Sequence, residues 1–235
     1  MGRVRRRSVA ILGTAPGWQH GAARYWQPGW EVWGLNAMWQ ILPRTRWGIS
    51  VDRYFELHGR TRLTNSRRPP DHWRQLAALE MPVYYLRGKA PSPRAVKFPL
   101  ARVRRAFGGI NYFACTFAYQ IAFALVEGFT RIELYGAPLV GAREALVEQP
   151  CVAYWLGVAA GRGVQVHVEH AAKAGLLLHP YRYADQDARE RRHTYGYAMA
   201  VYRDLSHWLL SEEARLWPDG PSFARDGRVK TEGGD

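Results

Sequence analysis

The stretch SVAILGTAPG at residues 8–17 decides the fold. Residues 9–12 are apolar without alternation, which is typical of a parallel strand buried on both faces. Small residues and a proline follow directly, so a phosphate could approach the backbone N–H groups after the strand. The loop matches neither the P-loop nor the three-glycine dinucleotide motif. A tight turn from strand to helix, with no ligand, is the alternative.

Strands and helices alternate along most of the chain. Apolar stretches predict strands at residues 29–36, within 46–58, and at 82–86, 131–135 and 164–168, and helical spacing predicts helices at 71–79, 111–128 and 144–160. The basic segment 87–105 contains three prolines and no regular period, so we expect a loop there. The alternation predicts an α/β fold with a doubly wound, mostly parallel sheet.

The C-terminal part has a different pattern. Within residues 184–217, apolar side chains recur at helical spacing, as at Ala198, Tyr202, Leu205 and Leu209, which predicts one long amphipathic helix. We expect a first domain over residues 1–183, this helix over 184–217 and a flexible tail over 218–235. The helix could cover its own domain or form the contact of a homodimer.

Composition limits the class of protein. The chain has 235 residues, 47% of them hydrophobic, which is enough for the core of one large α/β domain. No apolar run is long enough to span a bilayer and the N-terminus does not resemble a signal peptide, so we expect a cytoplasmic protein. The neighbours of Cys115 and Cys151 favour buried thiols over a disulfide or a zinc site.

Positive charge is concentrated in the first half of the chain. Residues 1–130 contain 20 Lys and Arg against 6 Asp and Glu, whereas residues 131–235 contain 13 against 14. A basic face of this kind would attract DNA or another polyanion; solvated charge without a partner is the alternative. Six of the ten tryptophans lie between Trp18 and Trp47, where they could stack on bases, although Trp30 and Trp33 flank a predicted strand and favour core packing.

Polar residues near two predicted strand ends are candidates for chemistry. Asn36 ends the second strand, where ligands collect in open parallel sheets. Asp52, Glu56 and His58 lie two and four residues apart, so in one continuous strand they would project to the same side. Three titratable groups on one face indicate acid–base chemistry or a metal, and a solvated edge strand is the alternative.

Several short pieces occur in an order that resembles a known family. They are residues 12–16 (LGTAP), 33–36 (WGLN), 115–117 (CTF), the passage 128–136, and 148–150 (EQP) with Tyr154. Over residues 8–178 the chain resembles the Rossmann-like family of bacterial sialyltransferases and archaeal 6-hydroxymethylpterin diphosphokinase-like proteins, in a form also found in tailed phages. The resemblance implies a Rossmann-like nucleotide-binding domain.

The resemblance also implies which residues hold the nucleotide. They lie in the first glycine loop, after the second strand, at the start of the long helix and in a second glycine turn. In this sequence they are Gly13, Thr14, Ala15, Pro16, Asn36, Thr116 and Gly136. Backbone donors suit a phosphate, an amide suits a base or ribose, and a hydroxyl at a helix N-terminus suits an anion.

The catalytic groups of the sialyltransferases are not retained. Ala137 stands where an acidic residue often follows the strand, the nearby tyrosine is missing, and the catalytic histidine aligns near residues 148–149. Glu148 could be the base in its place, or a carboxylate that stabilises the start of a helix. We therefore expect nucleotide binding without sialic acid transfer.

Three functions follow from these observations. The favoured one is a nucleotide-sugar-dependent glycosyltransferase in which Glu148, Asp52 or His58 deprotonates an acceptor hydroxyl, with a hydroxymethylated base in DNA, or a glycan, as acceptor. The second is a diphosphokinase that moves pyrophosphate from ATP to a hydroxymethyl compound, with Mg²⁺ held by Asp52 and Glu56. The third is a nucleotide- or nucleic-acid-binding protein without catalysis.

Overall fold

A parallel sheet forms the centre of the molecule. The computed structural model describes residues 7–42, 44–45, 48–61, 68–137, 139 and 147–169. In this part of the chain, seven strands form one sheet and every neighbouring pair is parallel. The strands are β1 (Ser8–Leu12), β2 (Trp30–Leu35), β5 (Arg53–Phe55), β6 (Val83–Tyr85), β7 (Ala95–Lys97), β8 (Arg131–Tyr135) and β9 (Gln165–Val168), and a separate antiparallel pair joins β3 (Arg44–Thr45) to β4 (Gly48–Ile49).

Helices cover both faces of the sheet. They are α1 (Trp18–Ala22), α2 (His72–Ala77), α3 (Leu100–Ala106), α4 (Thr116–Val126) and α5 (Gln149–Gly161). One buried cluster contains side chains of α3, α4 and α5, and the other contains side chains of α1 and α2. The predicted α/β fold with a doubly wound parallel sheet is confirmed.

The central strand β1 supplies side chains to both clusters. Val9 and Ile11 belong to the cluster with α4 and α5, whereas Ala10 and Leu12 belong to the cluster with α1 and α2. All four are fully buried. This explains the unbroken apolar run, since a strand covered on both faces has no solvent side on which to place polar residues.

The strand order is β7-β6-β5-β2-β1-β8-β9. From β1 the chain proceeds to one side through β2, β5, β6 and β7, and then returns to β8 and β9 on the other side. The carboxyl ends of β1 and β8 therefore form the topological switch point, which is where ligands bind in open parallel sheets.

Core packing of Trp33 is confirmed. Its side chain is fully buried, and its ring centroid lies 5.2 Å from that of Phe55 and 5.8 Å from that of Phe123. Trp30 is half-buried, and the Arg24 guanidinium lies 4.6 Å from its ring centroid. These two tryptophans therefore contribute to the protein interior.

The prediction of a loop over residues 87–105 was wrong. This segment contains β7 and α3, and Pro99 is the N-cap residue of α3. Val103 is buried and Leu100 packs against the same cluster, so one short apolar face holds the helix in place. The helix has only seven residues, too few for a periodic pattern to stand out between prolines and basic residues.

Two helix boundaries differ from the prediction. Helix α4 begins at Thr116, five residues after the predicted start, because Cys115 has extended backbone. Helix α5 begins at Gln149, and Pro150 lies in its first turn, where a proline costs no hydrogen bond. The predicted helix over 184–217 and the tail over 218–235 lie outside the described residues.

Cys115 and Cys151 are free thiols, half-buried and buried respectively. Among the described residues, no helix combines the length and hydrophobicity needed to span a membrane.

Replacement of Gly136 by alanine is expected to destabilise the fold. Gly136 has a φ of +62°, and a Cβ there would lie 2.5 Å from the carbonyl oxygen of Ala15. The left-handed backbone alone costs about 1–2 kcal/mol for other residues, and the contact adds to this.

Gly157→Ala is the matched control. Gly157 lies inside α5 with open space around it, and alanine there should raise the free energy of unfolding by about 0.5–1 kcal/mol. Denaturant unfolding of both variants tests this, and equal effects of the two substitutions would contradict it.

Candidate functional site

The two glycine turns at the switch point lie directly against each other. The N–H of Gly13 donates to the carbonyl of Tyr135 at 2.7 Å, and the N–H of Ala15 donates to that of Gly136 at 3.1 Å. A Cβ on Gly13 would lie 2.2 Å from the oxygen of Gly136. Glycine is thus required at both positions.

These two hydrogen bonds reduce the number of backbone donors that the first loop can offer to a nucleotide. The N–H groups of Gly13 and Ala15 already donate within the protein, and Pro16 has no N–H. Of the four loop residues predicted to contact the nucleotide, Thr14 therefore offers the backbone donor for a phosphate. Thr14 and Pro16 are exposed, as a ligand contact requires.

Helix α4 begins beside this loop. The Phe117 ring lies 2.9 Å from the position a Cβ of Gly13 would take. Thr116, the first residue of the helix, is nearly buried, and no side chain caps the N-terminus. The dipole of this 11-residue helix favours an anion at its N-terminus, where the N–H of Ala118 already donates to the carbonyl of Cys115 at 3.1 Å.

A buried amide lies one turn further along α4. Gln120 is fully buried, and its Nε2 donates weakly to the carbonyl of Gly34 at 3.5 Å. Its Oε1 has no hydrogen-bond partner among the described residues. Leaving a buried acceptor without a partner costs about 1–3 kcal/mol of folding free energy. A hydrogen bond from a ligand hydroxyl or a water molecule to Gln120 Oε1 would therefore be favourable.

Asn36 follows β2 with a left-handed backbone, φ +51°. Its N–H donates to the carbonyl of Phe55 at 3.0 Å, and its own carbonyl accepts from the Tyr54 hydroxyl at 2.7 Å. Its side-chain oxygen accepts from Arg68 at 3.0 Å. The group that Asn36 offers to a ligand is therefore the side-chain –NH₂, a donor for a base, ribose or phosphate oxygen.

A buried carboxylate lies at the end of the neighbouring strand. The Glu56 side chain is fully buried, and Oε2 accepts from His72 Nε2 at 2.8 Å and from Arg68 Nε at 3.3 Å. Oε1 accepts from the backbone N–H of His58 at 3.2 Å, from His58 Nδ1 at 3.0 Å and from Arg68 Nη2 at 3.3 Å. Burial disfavours the charged form, but the hydrogen bonds from His58 and His72 and the charge of Arg68 outweigh it and lower the pKa of Glu56 to about 2.

The contacts determine the tautomer of His72. Trp39 Nε1 donates to His72 Nδ1 at 2.9 Å, so His72 carries its proton on Nε2, which faces Glu56. Around His58, Arg68 Nη2 lies 3.0 Å from Asn36 Oδ1, 3.0 Å from His58 Nδ1 and 3.3 Å from Glu56 Oε1. With its proton on Nδ1, His58 donates to Glu56 Oε1 at 3.0 Å, and its Nε2 is then a proton acceptor.

His58 lies at the boundary between this buried cluster and solvent. Its side chain is 49% exposed, whereas those of Glu56 and His72 are fully buried. A histidine with one nitrogen held by a buried carboxylate and the other accessible is the usual arrangement of a general base.

A shallow, open surface cleft lies beside His58. It is lined by Glu56, His58, Arg60, Trp73, Tyr85, Arg87, Lys89 and Pro91. Its charged side chains, apart from the bound Glu56, are basic, so the cleft suits an anionic ligand.

Asp52 does not join this cluster. The prediction that Asp52, Glu56 and His58 share one strand face was wrong because β5 ends at Phe55. Asp52 precedes β5, and its Oδ2 accepts from the Val32 N–H at 2.7 Å. Burial raises the pKa of Asp52. This carboxylate completes the backbone hydrogen bonding of β2, away from the carboxyl ends of the strands.

Glu148 lies near the start of α4 and apart from His58. It directly precedes α5 and is half-buried. Burial raises the pKa of Cys115 to about 12, and the negative charge of nearby Glu148 contributes. Glu148 is thus close to the proposed nucleotide contacts at Thr116, while the acid–base pair lies at β5.

The site does not offer a carboxylate pair for Mg²⁺. Glu56 binds His58, His72 and Arg68, and Asp52 binds the backbone of Val32. Within the described ranges, no group of three or more His, Cys, Asp or Glu side chains is placed to hold a metal ion. The residues predicted for a diphosphokinase therefore do not come together.

Sequence reasoning missed Arg68, His72 and Trp39. These residues come from three different segments, and only the fold brings them to Glu56. His72 was recognised only as part of a short helix. A buried glutamate with three basic partners has no local sequence signature, so no spacing could have identified the cluster.

Comparison with known proteins gives a likeness in structure only. No protein-family model matches the chain, and no curated protein matches it. Among solved structures, the sialyltransferase CstII from Campylobacter jejuni with cytidine-5′-monophosphate is 12% identical, with a TM-score of 0.45 over 69% of this chain and 79% of that chain. The same enzyme with a trisaccharide acceptor and CMP gives 12% identity and a TM-score of 0.47 over 70% of this chain and 82% of that chain.

The pKa of Glu56 predicts how stability depends on pH. Its lowering from 4.5 to about 2 corresponds to on the order of 3 kcal/mol of stabilisation of the fold. This contribution is complete above pH 4.5 and is lost as the pH falls from there toward 2. Glu56→Gln should therefore be less stable at neutral pH and show a flatter dependence of the unfolding free energy on pH in this acidic range. Chemical unfolding across this range, with the exposed Glu80→Gln as control, measures both, and parallel pH profiles for Glu56→Gln and the wild type would contradict it.

Proposed function

We propose that this protein transfers a sugar from a nucleotide sugar to an acceptor hydroxyl, with His58 as the general base. The observation that favours this most is the Glu56–His58 pair at the same sheet edge as the paired glycine turns. Neighbouring strands are about 4.8 Å apart, so the ends of β1 and β5, with β2 between them, are separated by about 10 Å. A donor bound at the switch point could reach His58 over that distance.

The donor would bind where β1, β8 and α4 meet. The Thr14 amide and the start of α4 offer donors to the diphosphate, and Gly13 and Gly136 keep side chains out of its path. Asn36 offers its –NH₂, and Thr116 offers a hydroxyl to the ribose or phosphate. Ala15 and Pro16 shape the loop.

The transfer step uses the free nitrogen of His58. Nε2 takes the proton of the acceptor hydroxyl as its oxygen forms a bond to the anomeric carbon, and the bond from that carbon to the nucleotide phosphate breaks. Glu56 stabilises the resulting imidazolium through Nδ1–H. Asp52 and Glu148, the other two predicted bases, lie elsewhere, so we assign them no part in this step.

The acceptor that we favour is DNA with a hydroxymethylated base. The basic lining of the cleft supports an anionic acceptor. A neutral glycan is the alternative, and transfer assays with both decide between them. A thermal-shift screen with UDP, GDP, CMP and ADP sugars, each with and without Mg²⁺, identifies the donor and shows whether the ion is required.

Asn36→Ala is expected to abolish donor binding. The substitution removes the –NH₂ group offered to the ligand. A donor at about 100 times its dissociation constant should stabilise the wild type by about 2.7 kcal/mol, and the variant should lose most of this shift. Gln165→Ala, an exposed amide on the edge strand β9, is the control and should keep it. Equal shifts for Asn36→Ala and the wild type would place the donor elsewhere.

His58→Gln is expected to reduce transfer without reducing donor binding. General-base catalysis contributes about 10²–10⁴-fold, so kcat should fall by that factor while the thermal shift with donor is unchanged. His167→Gln, an exposed histidine on β9, should retain full activity. Donor binding without turnover in the wild type would instead favour the non-catalytic function, and an active His58→Gln would identify another base.

A further inference from the structure

Basic residues are concentrated in the part of the sequence that supplies most of the cleft beside His58. Residues 60–111 contain 12 Lys and Arg against 2 Asp and Glu. Of the two acids, Asp71 already binds Arg74 and Gln75. The cleft itself is lined by Arg60, Arg87 and Lys89 and by one carboxylate, Glu56, so a negatively charged partner would neutralise cations there.

The cleft combines these cations with aromatic rings. The Arg60 guanidinium lies over the Trp73 ring, 4.5 Å from its centroid, within the range of a cation–π interaction. Tyr85, Arg87 and Lys89 line the same cleft. A supported guanidinium plane can stack on a nucleobase, and the neighbouring cations can bind phosphates.

Basic residues continue beyond the cleft along the sheet edge. In the parallel register of β6 and β7, Tyr85 is paired with Lys97. Lys97 is exposed, as are Arg94 before β7 and Arg104 and Arg105 on α3. A small phosphorylated molecule would use only the cations of the cleft, whereas a phosphodiester chain would use these as well.

We propose that the cleft binds an unpaired nucleotide of a single-stranded DNA acceptor and presents it to His58. This proposal rests on the function proposed above and adds the binding site and the form of the acceptor. Arg60 would stack on the base, and Arg87 and Lys89 would bind the adjoining phosphates. An unpaired strand is favoured because Arg60 can stack only on a base whose face is free, and in a duplex the neighbouring base pairs cover both faces.

Binding of a short single strand tests the site without any donor. Fluorescence anisotropy with a labelled single-stranded DNA of about 12 nucleotides, titrated at several salt concentrations, gives the affinity and its salt dependence. Arg87→Gln and Lys89→Gln should each weaken binding several-fold and reduce the slope of log K against log salt by about 0.7. Arg162→Gln removes an equal charge at the C-terminus of α5, where Arg162 contacts Phe107 and does not line the cleft, and should leave both values unchanged.

Arg60→Lys separates stacking from charge. Lysine keeps the positive charge and lacks the planar guanidinium, so the affinity should fall while the salt slope stays the same. The labelled strand annealed to its complement should bind more weakly than the single strand. Gln165→Ala, an exposed position on the edge strand β9, should bind the single strand like the wild type.

Four results would overturn the proposal. The first is an equal loss of DNA affinity in Arg162→Gln and Arg87→Gln, and the second is equal affinity for duplex and single strand. The third is full displacement of the strand by millimolar inorganic phosphate. The fourth is loss of the donor thermal shift in Arg87→Gln with DNA binding intact. The last would assign the cleft to the donor diphosphate. Because DNA binding is measured without donor, it can fail while sugar transfer to a glycan succeeds, and the reverse is equally visible.

Discussion

The close approach of two backbone turns determines the architecture of the site. Gly13 and Gly136 end the adjacent strands β1 and β8, and their backbones pass too near each other for a Cβ at either position. The two N–H···O bonds between these turns also occupy donors that a phosphate would otherwise use. The close contact that fixes the switch point therefore removes backbone donors from the loop, and the donor site that we propose relies on the amide of Thr14 and the N-terminus of α4.

A second constraint is the buried carboxylate of Glu56. An ionised glutamate in the interior is stable only when its oxygens are fully bonded, and here His58, His72 and Arg68 provide those bonds. The same bonds orient His58 and leave its Nε2 toward the cleft. Stability and the proposed catalysis therefore depend on the same atoms, because the interactions that keep Glu56 charged also orient His58 for the role that we propose.

The local features of the fold could be predicted, and the assembly of the site only in part. The apolar run of β1 and the proline at the start of α5 are local signals, and both were interpreted correctly. The end of β5 was not recognised, since polar and apolar residues continue to alternate beyond Phe55. The cluster around Glu56 could not be predicted because Trp39, Arg68 and His72 lie in separate loops and helices that only the folded chain brings together.

The topology places the strands from the basic first half of the chain and those from the second half on different sides of β1. Strands β1, β2, β5, β6 and β7 all come from the basic first half, and the strand order places the last four on one side of β1. Strands β8 and β9 are on the other side, and the second half of the chain, residues 131–235, has nearly balanced charge. Because a doubly wound sheet builds one side before the other, the strands on the side where His58 lies all come from the basic first half of the chain. The acceptor that we propose is anionic and would be attracted to the side with His58, while the proposed donor site lies at the centre of the sheet.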